Sequence, residues 1–397
     1  MTAPHERVLT RISDAELERR WSAVRRAMQE RGISALVMQS TNDWLGGYVK
    51  WFTDLPANNG YPRTVIFHAD EPMTVVEMGQ TGSTRTLESD RLHRGVGEML
   101  FTPSFLSINF THEDDVQLVL KTLKRRGYRS VGFVGKGALP NAFVTCLESG
   151  LTGTEFVDAT DMIDAIKAVK SEEEVALIRR TTAMQDEVFA RILGYIKPGL
   201  RDVDVTAFAQ QEGQRLGSEQ GIFLGGSSPL GVRSSFVPRY MQGRKLEKGD
   251  HLSLLIENNG PGGFYAEIAR TIVLGTASNE LTDGFEAVRE AQQYTLGMMK
   301  PGTLCRDIHA AHNAYMTKRG LPPELRLYAH GQGYDMVERP LIRSDESMAL
   351  QAGMCLAVHP GYETASIFAV ICDNYIVGTD GPGDCLHATP KKIFEVG

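Results

Sequence analysis

At 397 residues the chain is too long for one small domain, and its net charge of −7 lacks the basic balance that phosphate binding demands, so nucleic acid is excluded as the main partner. Apolar residues make up 42%, enough for a sizeable core, and the five cysteines, an odd number with no C-x-x-C pair, exclude a disulfide framework. The opening MTAPHERVLTRISDAELERRW has no apolar segment of a signal peptide, and no apolar run approaches the ~18 residues that would span a membrane. The expectation is a soluble cytoplasmic protein with no membrane partner.

Residues 13–31 predict a helix. Ser13 with Glu16 three residues on suits a cap, Leu17, Trp21, Val24 and Met28 fall on one face, and Gly32 is a stop. ISALVM (33–38) reads as a buried strand, TVIFHA (64–69) and MTVVEM (73–78) as a strand pair, and a helix near 113–126 precedes SVGFVG (130–135). These elements predict a first α/β domain over 1–165. The chain then changes character at KSEEEVALIRR, where Ser171 and Glu174 form a capping box opening a long helix whose buried face is Leu177, Met184, Val188, Ile192 and Tyr195. The second domain is placed at 166–397.

That second domain contains an internal echo. LGYIKPG (193–199) returns as LGMMKPG (296–302), each followed by Asp-Val or Asp-Ile. A repeated helix–KPG–helix unit predicts two duplicated α/β halves about a pseudo-twofold axis, with a cleft along it.

Within this region LLIENNGPGGFYAEIART (254–271) reads as strand, glycine turn and strand, placing Glu257 and Glu267 on neighbouring strands among apolar flanks. Two acids in one cleft split their pKa values and divide acid and base duties, or hold a metal. His330 in YAHGQGYD stands at a Gly-rich bend, where glycines let the backbone approach a ligand. His359 ends the buried run MCLAVHPG, and Cys372 lies in FAVICDNYIVG, where a buried thiol commonly serves as a small hydrophobe. Trp44, Tyr48 and Trp51 follow the first strand and suit either a cation-binding wall or a domain-interface cluster. Arg239, Tyr240 and Arg244 could line the same cleft, and Arg270 suits a structural ion pair. GGSSP (225–229) fails the G-x-S-x-G nucleophile pattern, and GPGG (260–263) lacks the spacing of a phosphate loop.

The order strand acid, strand acid, HGxG, PG-ended strand and final strand resembles the pita-bread family of creatinase, aminopeptidase P, prolidase and methionine aminopeptidase. KSEEEVALIR, AEIART, AHGQG, LQAGMCLAVHPG and VICDNYIV carry the resemblance, which runs from about residue 10 to the C-terminus. It implies a creatinase-like N-terminal α/β domain and a pita-bread catalytic domain, α/β (α+β) overall. It also implies a homodimer, in which the first domain of one subunit can complete the other's cleft.

The family's peptidases hold two divalent ions with two Asp, one His and two Glu. At the matching positions this chain has Glu257, Glu267, His330, His359 and Cys372, and the histidine usual before Glu-x-Pro is Val337, with Glu338 and Pro340 kept. With four of five ligands changed, the resemblance points to creatinase, which works without metal. The expectation is therefore a hydrolase cleaving a C–N bond in a small cationic amidine, ureido or amide compound with no cofactor. Glu257, Glu267, His330 and His359 are its catalytic residues, and Trp44, Tyr48, Arg239, Tyr240 and Cys372 its substrate contacts. The alternatives are one divalent ion (Zn, Fe or Mn) on His330, His359 and a carboxylate, in an Xaa-Pro-type peptidase or a lyase acting on an onium substrate, and a non-catalytic binding module.

Overall fold

The structure, a computed structural model, describes residues 10–397 apart from 43, 45, 46, 59 and 112, so the first nine residues of the stretch read for a signal peptide lie outside the described residues. The chain divides into two compact units, one of Arg11–Lys167 and one built from Ala168–Gly397.

In the N-terminal unit the helix Asp14–Arg31 starts where Ser13 Oγ accepts the Glu16 N–H at 3.1 Å and ends at Gly32, whose φ of 66° is the left-handed turn a side chain would strain. Leu17, Trp21, Val24 and Met28 are all buried. Each such side chain contributes about 1.5–3 kcal/mol by leaving water. The first strand runs Ala35–Ser40, two residues later than its apolar pattern suggests, and every residue in it is buried. Across its sheet the strands lie in the order Thr84–Thr86, Val96–Thr102, Met73–Met78, Arg63–His68, Ala35–Ser40, Ser130–Phe133 and Glu155–Asp158. The strand pair at 63–78 is antiparallel, and Ser130–Phe133 joins Ala35–Ser40 in parallel.

The C-terminal unit opens on the helix Glu172–Tyr195. Ser171 and Glu174 exchange side-chain and backbone hydrogen bonds as a capping box, closing two otherwise unpaired N–H groups. The two KPG stretches fold alike. Gly199 donates to Leu246 O (2.8 Å) and Leu246 donates back to Leu200 O (2.7 Å); Gly302 donates to Leu350 O (2.9 Å) and Leu350 donates back to Thr303 O (2.9 Å). Each joins a helix pair, Glu172–Tyr195 with Asp202–Arg215 and Asn279–Leu296 with Cys305–Lys318. One sheet is ordered Phe394–Val396, Tyr265–Leu274, Asp250–Asn259, Gly221–Pro229; the other is ordered Glu338–Leu341, Ala329–Gly331, Cys355–Val358, Asp373–Val377, Pro382–Cys385. The sheets meet where Ala269 and Cys372 exchange backbone hydrogen bonds of 3.3 Å in both directions. This mixed α/β architecture, with its matched halves, is the one the duplicated sequence predicts.

His312, on the helix Cys305–Lys318, is fully buried and stacks on Tyr328 with ring centroids 4.1 Å apart. Neither ring nitrogen has a hydrogen-bond partner among the described residues, and burial holds its pKa at about 4. The folded chain therefore stays unprotonated there while the unfolded chain takes up a proton below the ordinary histidine value. Stability accordingly falls as pH drops from about 6.5 towards 4, by up to about 1.4 kcal/mol per pH unit from this one group. In urea unfolding at stepped pH, His312→Phe is expected to flatten that decline by one proton's worth; an unchanged slope would refute the assignment.

Candidate metal centre

The hairpin of strands Asp250–Asn259 and Tyr265–Leu274 pairs Glu257 directly opposite Glu267. Its bend depends on glycine: Gly262 and Gly263 take φ of 86° and 83°, and Gly260 N–H donates to Phe264 O at 2.9 Å. Every residue of both strands is buried, so the two acids sit inside protein. His330 comes from the strand Ala329–Gly331, His359 follows the strand Cys355–Val358, and Cys372 precedes the strand Asp373–Val377. Both glycines beside Gln332 are required by neighbours within the chain. A Cβ at Gly331 would stand 2.5 Å from Arg339 O, and one at Gly333 2.6 Å from Glu338 Oε1. The Gly-rich bend thus serves close packing against the next strand.

Glu267, His330 and His359 each present a donor atom, and the three atoms all lie within 4.8 Å of one another. His330 Nδ1–H donates to Gly331 O at 2.9 Å, so Nε2 is the ring nitrogen turned towards the site. That nitrogen stands 3.4 Å from Glu267 Oε2. A contact of this kind is held by positive charge between the two atoms, supplied by a proton on Nε2 or by a metal ion. Burial alone would raise the Glu267 carboxyl, but His359 and His330 hold it at about 2. Burial pushes His359 down to about 4, keeping its ring neutral and able to ligate. Glu257 moves the other way: burial and then the Glu267 charge raise it well above the usual carboxylate range, against a hydrogen bond from Gln332. Cys372, raised well above the ordinary thiol range by burial and by Glu267, stays a thiol and donates to the Glu267 main-chain oxygen at 3.5 Å.

Around these groups runs a shell of buried polar side chains that the sequence reading passed over. Gln332 Nε2 donates to Glu257 Oε1 at 2.8 Å, and Gln332 Oε1 accepts from Asn374 Nδ2 at 2.7 Å. Asn374 Oδ1 accepts the Glu267 N–H at 2.8 Å. Gln185 Nε2 donates to Ala266 O at 2.7 Å and Ile256 O at 3.3 Å, tying the helix Glu172–Tyr195 to both glutamate strands. Beneath them Arg270 and Asp373, both fully buried, pair at 2.6 Å, and Arg270 also donates to Cys372 O at 2.8 Å. The one available signal for the shell was Gln332, a polar residue at the variable position of HGxG.

The structure therefore gathers Glu257, Glu267, His330, His359 and Cys372. Arg239 and Tyr240 lie apart from that hydrogen-bonded cluster on an exposed single turn, with Tyr240 87% exposed. Arg244 pairs with Asp250 at 2.6 Å. Trp44 and Tyr48 belong to the N-terminal unit. Trp44 is exposed, the Tyr48 hydroxyl donates to Asp164 at 2.7 Å, and Lys167 covers the Tyr48 ring. Trp51 is buried under Arg20. Both of these rings are covered by cations of the chain itself.

The sequence profile described as metallopeptidase family M24 matches residues 176–379, slightly over half of the chain. The chain belongs to metallopeptidase family M24. It is 27% identical over 244 residues to the probable dipeptidase PepE of Mycobacterium tuberculosis, covering 60% of this chain and 63% of that one. It is 23% identical over 273 residues to the Xaa-Pro dipeptidase of Pyrococcus horikoshii, covering 68% and 76%. Among solved structures, the X-Pro aminopeptidase of Thermotoga maritima superposes with a TM-score of 0.77 at 16% identity over 95% of this chain and 99% of that one. The dipeptidase PepE of Mycobacterium ulcerans gives 0.74 at 22% identity over 97% and 99%. These likenesses show the same pita-bread fold, and the protein is an M24-type hydrolase.

The expectation of a site without cofactor or metal ligand is corrected by this membership together with the donor cluster. Replacing late glutamates by His359 and Cys372 removes negative charge, but it leaves two imidazole nitrogens and one carboxylate converging, a set that suits zinc or iron. By calorimetry on chelator-treated protein, His359→Ala and Glu267→Gln are each expected to weaken divalent-ion binding by more than about 100-fold, beyond the effect of losing an outer partner. Wild-type affinity in either variant would place the ion elsewhere.

Proposed function

We propose that this M24 hydrolase cleaves the C–N bond of a small peptide-like substrate, of the Xaa-Pro dipeptide class, with one divalent ion held by Glu267, His330 and His359. The observation that carries the reading is the convergence of Glu267, His330 and His359, whose donor atoms lie within 4.8 Å of one another. The donor set fits one ion: Glu257 is raised well above the usual carboxylate range and Cys372 well above the ordinary thiol range, so neither readily adds the charge that a second ion draws on. A divalent ion in that place supplies Lewis acidity towards a scissile carbonyl.

The remaining chemistry falls to the chain's own groups. Glu257, opposite Glu267 in the hairpin and hydrogen-bonded among the described residues through Oε1, is made a stronger base by its raised pKa; as a carboxylate it takes a proton from the attacking water through Oε2 and passes it to the leaving nitrogen. The Cys372 thiol and the strands around it keep the pocket dry, which strengthens every charge interaction inside. The creatinase-like chemistry on amidines or ureido compounds gives way to this peptidase reading, because its motive was a site without metal. The reading extends to a cytoplasmic homodimer, supported by cysteines that are all free, as suits a reducing compartment, and by the pita-bread resemblance.

The test is turnover of a panel of Xaa-Pro and other dipeptides by chelator-treated protein resupplied with Mn, Zn, Fe or Co. Hydrolysis is expected to vanish on chelation and return with one equivalent of ion. Glu257→Gln is expected to bind the ion normally and lose about 10²–10⁴-fold in kcat. Activity indifferent to chelation, or no dipeptide cleaved with any ion, would overturn the proposal.

A further inference from the structure

The amide groups around the two glutamates have their polarity dictated from one end. The peptide N–H of Glu267 can only donate, so the Asn374 atom facing it at 2.8 Å is its oxygen. The Asn374 amide nitrogen must then face Gln332, where it donates to Oε1 at 2.7 Å. Gln332 is left with its N–H groups towards Glu257, and one of them reaches Oε1 at 2.8 Å. A second arm leaves the same asparagine. Asn374 N–H donates to His387 Nδ1 at 3.4 Å, so the His387 proton sits on Nε2 and is donated to Gln185 Oε1 at 2.8 Å. Gln185 in turn donates to Asn258 Oδ1 at 2.8 Å and to the main-chain oxygens of Ile256 and Ala266. Every member is buried, where an unpaired amide is costly, so no single group turns over without breaking its neighbours.

We infer that Gln332 and Asn374 are positioning residues, a two-amide relay that carries the fixed direction of the Glu267 peptide N–H to the Glu257 carboxyl. The relay pins Oε1 on a donor and leaves Oε2 as the oxygen that handles protons. It links the ligand carboxylate strand to the acid–base carboxylate through side chains of the other sheet, since Gln332 and Asn374 are 42 residues apart and Asn374 and Glu267 are 107 apart. An apolar side chain at position 332 would fill the same space between the two glycines but would leave Glu257 free to rotate. This inference deepens the hydrolase reading and rests on it for its turnover readout only.

The experiment is the ion-loaded protein and three variants, Gln332→Met, Asn374→Leu and the double variant. Each is characterised by crystal structure, calorimetric metal affinity, melting temperature, kcat and KM. Gln332→Met, which matches glutamine in length without its amide, is expected to keep metal affinity and melting temperature and to lose about 10- to 100-fold in kcat with KM little changed, the scale of losing an outer-shell partner. In its crystal structure the Glu257 carboxyl is expected to leave the orientation seen here. Asn374→Leu strands the Glu267 N–H as well, so it is expected to weaken metal binding in addition. The double variant is expected to lose no more kcat than Asn374→Leu alone, because the two act as one chain. If Gln332→Met does not fold, Gln332→Leu, which likewise lacks the amide, is measured in its place with the same expectation.

Unaltered Glu257 orientation with wild-type kcat in the position-332 variant would overturn the relay, as would a loss traced wholly to metal affinity or melting. If no dipeptide is turned over even by wild type, the proposed function fails. The orientation of Glu257 in the two crystal structures then still decides the relay.

Discussion

An imidazole nitrogen and a carboxylate oxygen face each other across 3.4 Å in the C-terminal unit, and both side chains are buried. In water such an encounter is relieved by rotation or by a solvent proton. Here His330 is fixed by its own donation to Gly331 O and by strands on both sides, and Glu267 by a hairpin whose neighbours leave no slack. The surrounding structure holds these two donors, with His359 beside them, in a cluster that a cation would complete. The same arrangement sorts the two glutamates. The one near both histidines is held well below the usual carboxylate range, while the one across the strand, already facing that charge, is pushed well above it.

The scaffold achieves this by bringing two sheets edge to edge at Ala269 and Cys372, with each sheet backed by its own helix pair. Duplication explains why the hinge-like KPG turns and their hydrogen bonds repeat almost atom for atom. It also explains why the site is built from strand ends of both halves. The first sheet brings Glu257 and Glu267 to the site, and the second brings His330. Beneath the site the Arg270–Asp373 pair, fully buried, anchors the second sheet to the first. Removing one partner of such a pair leaves an uncompensated charge in the interior, a cost of about 3–5 kcal/mol.

Much of this could be read from the residues. The hairpin spacing around NNGPGG puts Glu257 and Glu267 opposite one another, and the structure has that register. The capping boxes, the glycine stops and the repeated KPG are local signals, and local signals survive folding. What stayed hidden depended on contacts far apart in sequence. Which glutamate keeps its charge depends on two histidines, one 63 and one 92 positions beyond Glu267, and the His330 ring is oriented by a backbone carbonyl that no motif records. The polar shell was equally out of reach, because His387 and Gln185 lie 202 residues apart. The expectation of a site without metal went wrong for a related reason. Counting changed ligands treats each position separately, whereas an ion responds to the donors that converge, and a histidine in place of a glutamate is still a donor.

The central claim is that one cation belongs between His330, His359 and Glu267. Anomalous diffraction at transition-metal absorption edges, from crystals of protein purified without chelator, tests it most directly. The account predicts a single peak bonded to all three side chains, with Glu257 outside its coordination sphere. Two peaks, or an undivided His330–Glu267 contact closed by a proton on Nε2, would contradict it.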